Sequence, residues 1–144
     1  TLKYKQRLCS KVLSVSMSIN PHILLIDDDP TVNFLNRVII EKSEIGVATS
    51  EITHAPEALD QLANGNIQPS LILLDLNMPD MDGWEFLAEF EKLPDDSRKS
   101  KVIILSSSIN PSDRERAESI SFITDFYSKP LSLDDVREIK KLLN

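Results

Sequence analysis

Residues 71–83 read LILLDLNMPDMDG. Leu71–Leu74 is a short, unbroken apolar run, which predicts a strand buried on both faces, as in a parallel sheet. The run ends on Asp75, and Met78-Pro79 and Gly83 predict a loop into a helix, with Gly83 expected at positive φ. The same pattern occurs twice more. HILLI, residues 22–26, runs into Asp27-Asp28-Asp29, and VIIL, residues 102–105, runs into Ser106-Ser107-Ser108. A weaker alternation predicts an edge strand within Val47–His54. Ile123–Ser128 predicts a last strand, ending at Lys129-Pro130.

Helical spacing fills the intervals. Pro30–Glu41 sets Val32, Leu35, Val38 and Ile39 on a helical stripe, with Pro30 at the start. Pro56–Asn64 places Ala58, Leu59, Leu62 and Ala63 on one face, with Gly65 as the stop. Trp84–Leu93 turns Leu87 and Phe90 inward. Ser112–Ser119 has Ser112 and Glu115 at capping-box spacing, and Ser132–Leu143 has Ser132 and Asp135 at the same spacing. Strands alternating with helices predict an α/β domain with a parallel sheet and helices on both faces.

Composition narrows the chemistry. The 144 residues suit one domain. Only three glycines occur, well separated, which excludes a glycine-rich phosphate cradle. Two histidines and one cysteine cannot build a Cys/His zinc site. No apolar run is long enough to span a bilayer as a helix. The net charge is −7, and residues 1–19 carry Lys3, Lys5, Arg7 and Lys11 with no acid. The acidic remainder argues against direct nucleic-acid binding and permits a cation site. Residues 1–19 are expected to be a flexible leader or added segment, with Met17 a candidate start and a targeting role the alternative. The domain is expected to span residues 20–144.

Ligands of open parallel sheets bind at the carboxyl ends of the strands. There the sequence collects Asp27, Asp28, Asp75, Ser106 and Lys129. Clustered carboxylates repel unless a cation neutralises them, and oxygen-only ligands favour a hard ion, Mg2+ above all. A carboxylate beside Mg2+ can act as a nucleophile toward phosphorus. Phosphoryl transfer needs mainly positioning and charge neutralisation, which Mg2+, Lys129 and the Ser106 hydroxyl supply.

With these motifs in order, the chain resembles a CheY-like receiver domain of bacterial two-component response regulators over residues 22–143. The resemblance implies a single flavodoxin-like (βα)5 doubly wound domain with strand order 2-1-3-4-5. It implies Asp75 as phosphoacceptor and Mg2+ held by Asp28, Asp75, the backbone carbonyl of Asn77 and, through water, Asp27. It implies Lys129 on a phosphoryl oxygen, Ser106 and Phe126 as switch residues, and a cis bond before Pro130. The implied partners are a histidine kinase or histidine phosphotransfer protein and an unknown output protein, with a monomer or a phosphorylation-dependent dimer, in the cytoplasm. The implied protein is a regulator that catalyses only its own phosphotransfer and autodephosphorylation. Phe122-Ile123 departs from the small residues usual in the family before the last strand, which puts the packing of that corner in question.

Two other readings use the same residues. LLIDDDPT also fits the first motif of a haloacid dehalogenase-type phosphatase, with Asp27 as nucleophile, Asp29 as acid/base and Asp134-Asp135 as later acids. A receiver-like interaction module that is never phosphorylated is the third. Trp84 and His54 are assigned no chemistry.

Overall fold

The computed structural model describes residues 21–143; the expected leader, residues 1–19, lies outside them. Strands β1 (His22–Ile26), β2 (Ala48–Ile52), β3 (Leu71–Leu74), β4 (Lys101–Ser106) and β5 (Ile123–Ser128) alternate with five helices. These are α1 (Pro30–Lys42), α2 (Ala55–Ala63), α3 (Gly83–Glu91), α4 (Pro111–Glu118) and α5 (Leu133–Leu143). All strand pairs are parallel, in the order β2-β1-β3-β4-β5. This is the flavodoxin-like arrangement expected from the sequence.

The three unbroken apolar runs are the three central strands, and their period-two alternation divides the core. Leu24, Ile26, Ile72, Leu74, Val102 and Ile104 face α2, α3 and α4. Ile23, Leu25, Leu71, Leu73, Ile103 and Leu105 face α1 and α5. Between β4 and β5 the register slips: Val102 pairs with Ile123, but Ile103 pairs with Asp125. This bulge steps over Thr124 and sets Phe126 opposite Ile104, on the α4 side of the sheet. The unusual Phe122 is accommodated by packing its ring 5.7 Å from that of Phe90 on α3, so the corner before β5 is filled.

Three local expectations are corrected. The buried face of α1 is Asn33, Asn36 and Ile40, whereas Leu35 is 57% exposed. The first turn of α1 lies against the backbone ends of β1 and β2, and there an amide is accommodated where the stripe had predicted apolar chains. The Nδ2 of Asn33 donates to the carbonyls of Asp27 at 3.1 Å and Ile52 at 3.5 Å. The cap of α4 is not the Ser112/Glu115 box. With Pro111 in the first turn, Asn110 is the cap and its side chain accepts from the Ser112 N–H at 3.0 Å. The Ser132/Asp135 box at α5 does form, with reciprocal bonds of 2.9 and 3.0 Å.

Gly83 is the third correction, since positive φ among the glycines belongs to Gly46 and Gly65. Gly83 is required for a different reason: a Cβ there would sit 2.7 Å from the Asp75 carbonyl oxygen and 2.8 Å from Leu76 Cα. The start of α3 is pressed directly against the strand end that carries Asp75. Asp82 caps that start and closes a capping box with Glu85, at 2.8 and 3.0 Å. Gly83→Ala is therefore expected to destabilise the domain by about 1–3 kcal/mol, the range for an overpacked site. An unchanged midpoint in urea unfolding would show that the contact yields freely.

Candidate functional site

Every strand end named from the sequence arrives at the same rim. Asp27 follows β1, with its N–H on the carbonyl of Ile52 at 3.3 Å; Asp75 follows β3, with its N–H on the carbonyl of Ile26 at 3.0 Å. Lys129 follows β5, with its N–H on the carbonyl of Ser106 at 2.9 Å. The Lys129-Pro130 bond is cis. The backbone thus fixes all three charged residues before any side-chain contact is counted.

The Lys129 ammonium bridges the two buried carboxylates. Its Nζ lies 2.7 Å from Asp27 Oδ2 and 3.1 Å from Asp75 Oδ1. Asp27 and Asp75 are 4% and 5% exposed. Asp28 is exposed beside them, and one carboxylate oxygen from each of Asp27, Asp28 and Asp75 falls within 4.8 Å of the others. Burial, and then repulsion from Asp27, push the Asp75 carboxyl above its ordinary range against the pull of Lys129 and the Asn77 N–H. Burial opposes the charge on Lys129, but its bonds to Asp27 and Asp75 outweigh this and hold it above the usual lysine value. Three carboxylates share one ammonium, so the rim is short of positive charge. The all-oxygen donor set fits a hard divalent cation. Asn77 is exposed at the mouth of the rim.

Ser106, at the end of β4, is fully buried, and its Oγ accepts from the Ser108 N–H at 3.0 Å. Ser108 Oγ in turn donates to Asp113 Oδ2 at 2.6 Å, in the first turn of α4. Phe126 is buried, with the Arg114 guanidinium 4.6 Å from its ring centroid and Arg114 Nη1 donating to its carbonyl at 3.2 Å. Sequence reasoning missed Ser108, Asp113 and Arg114 as ties from this loop to α4, because their pairing depends on tertiary geometry. It also missed Asn33. Its spacing of three from Asn36 and seven from Ile40 carried the phase of the buried face, but the polar residue type concealed it.

Other acids have local work. Asp29 caps α1 by accepting from the Thr31 N–H at 2.9 Å. Asp135 closes the cap of α5, and Asp134 pairs with Arg137. Apart from Asp27, these are the acids a phosphatase reading needs, and they sit in helix caps and first turns. His54 caps α2 through its backbone position, with its imidazole 3.7 Å from the exposed Asp80 carboxylate.

Comparison with known proteins is in keeping with this geometry. The family model of the response regulator receiver domain matches residues 23–141. The chain belongs to this family. Over 126 residues it is 29% identical to the sporulation initiation phosphotransferase F of Bacillus subtilis, covering 87% of this chain and 95% of that protein. Over 112 residues it is 35% identical to the sensor histidine kinase CheAY of Helicobacter pylori, covering 76% of this chain but only 13% of the kinase. Among solved structures, a two-component response regulator from Cytophaga hutchinsonii superposes with a TM-score of 0.77 at 36% identity, covering 87% of this chain and 98% of that one. The receiver domain thus has a phosphoacceptor role in two-component signalling. Receiver domains bind Mg2+ at an acidic pocket and interact with histidine kinases or phosphotransfer proteins. No helix among the described residues is long and apolar enough to cross a membrane.

The raised Asp75 pKa has a consequence for stability. A carboxyl whose pKa is higher folded than unfolded favours folding where it is protonated, and that contribution is lost as pH rises through the folded value. At neutral pH the buried Asp75 charge opposes folding. Without added metal, Asp75→Asn is expected to be more stable than wild type at pH 7, with the gap closing as pH falls toward the ordinary value of 3.8. Denaturant midpoints across pH measure it; a gap of constant size would contradict the assigned shift.

Proposed function

We propose that Asp75 is the phosphoacceptor of this receiver domain and that Asp27, Asp28, Asp75 and the Asn77 carbonyl hold Mg2+, with Asp27 acting through water. The observation that carries this reading is the Lys129 ammonium bridging Asp27 and Asp75 with Asp28 alongside. A bound Mg2+ supplies the positive charge that three carboxylates and one lysine lack. In the transfer, an Asp75 carboxylate oxygen forms a bond to phosphorus while the donor's phosphorus–nitrogen bond breaks and the histidine keeps the electron pair. Lys129 follows the charge, leaving Asp75 for a phosphoryl oxygen. Ser106 swings toward the phosphoryl group and its hydroxyl donates a hydrogen bond to another phosphoryl oxygen, and the loop and Phe126 follow. Hydrolysis of the acyl phosphate by water passing Asn77 resets the site.

The domain on this reading spans residues 20–144, with residues 1–19 a leader. It takes its phosphoryl group from a histidine kinase or phosphotransfer protein in the cytoplasm. The output is a protein partner, met as a monomer or as a phosphorylation-dependent dimer, without direct contact to nucleic acid.

Intact mass after incubation with acetyl phosphate tests this. Wild type is expected to gain one phosphoryl mass only with Mg2+, and Asp75→Asn to gain none. An adduct that persists in Asp75→Asn and requires Asp27 would overturn the assignment in favour of the phosphatase reading.

A further inference from the structure

Asn33 is buried and takes no part in the chemistry above. It lies on α1, one turn past the acidic loop. Its Nδ2 grips the Asp27 carbonyl at 3.1 Å and reaches the Ile52 carbonyl at 3.5 Å, while its Oδ1 is buried with no partner among the described residues. An apolar side chain would fill this helix face but take the donor away from the Asp27 carbonyl, and the amide holds that carbonyl at the cost of its own buried acceptor.

We infer that Asn33 is a positioning residue that aims the Asp28 carboxylate at the metal site by holding the peptide group between Asp27 and Asp28. The inference rests on the Mg2+ reading of that loop. The peptide group is planar, so pinning its oxygen fixes the plane and with it the nitrogen and Cα of Asp28. Asp27 needs no such help, since Lys129 and the Asp29 N–H hold its two carboxylate oxygens. Asp28 is exposed, so packing does not direct its side chain. Its backbone must do so, and Asn33 ties that backbone to the end of β2. The bond from the Asp27 N–H to the same Ile52 carbonyl completes the brace.

Mg2+ titration followed by amide NMR shifts tests the inference, because the spectrum also reports whether each variant is folded. Asn33→Leu removes the donor and keeps the helix face filled; Asn33→Ala removes the donor without adding bulk. Each is expected to raise the Mg2+ dissociation constant about tenfold, the scale seen when a residue orienting metal ligands is lost. Asn36→Ala, on the same buried face one turn on, is expected to leave it near wild type. Saturating Mg2+ is expected to restore the rate of phosphoryl uptake from acetyl phosphate to Asn33→Leu. Wild-type affinity in both Asn33 variants, or equal weakening in Asn36→Ala, would overturn the inference alone. Absence of Mg2+-dependent shifts in wild type would overturn the metal reading and the inference with it.

Discussion

A single ammonium group holds the rim together. Lys129 and Asp27 are 102 positions apart in sequence, and only the order β2-β1-β3-β4-β5 brings the ends of β1, β3 and β5 within reach of one side chain. Two buried carboxylates without a counter-charge would either take up a proton or open to water. Lys129 opposes this while leaving the balance negative, and the Asp75 carboxyl still sits above its ordinary range, through burial first and repulsion from Asp27 second. The residues that carry charge are therefore held by backbone hydrogen bonds between strand ends, whereas their net charge is set for a ligand.

Much of this was readable from residue order. Unbroken apolar runs located the three inner strands because a strand covered on both faces has no polar side to show. The rim followed because each run stops at an acid or a hydroxyl, and the Lys129-Pro130 pair marked the end of the last strand. Two of the errors have a common origin. At α1 and Gly83 the deciding contact is with the backbone of a distant element, whereas at the start of α4 it is local, Asn110 taking the cap ahead of Pro111. The stripe on α1 was sought among apolar residues, but part of that helix packs on carbonyl groups, and Asn33 and Asn36 face inward instead. Gly83 was read as a turn residue, and its role is the absence of a Cβ against the strand end bearing Asp75. Phe122 was read as a possible misfit, and the aromatic residues of α3 had already made its place.

The attachment of α4 differs from that of the other helices. It buries only Ala117, against four residues buried by α3. What fastens it is a pair of guanidinium–ring contacts, Arg114 on Phe126 at 4.6 Å and Arg116 on Trp84 at 4.3 Å, and the chain of hydrogen bonds from Ser106 through Ser108 to Asp113. Contacts of the first kind contribute roughly 0.5–1 kcal/mol each at exposed sites.

Such a helix behaves as a shutter over the sheet rather than as a wall of the core. Of its own side chains only Ala117 leaves the core when it slides, so the helix itself gives up little apolar area, although part of the sheet face beneath it, Phe126 included, is uncovered as well. The two arginines lose little when water replaces their aromatic rings, because each such contact is small at an exposed site. The sheet, with α2 and α3 still packed against it, keeps its shape while this one panel moves. The hydrogen bonds from Ser106 through Ser108 to Asp113 tie the end of β4 to this panel by a route that does not cross the apolar interior.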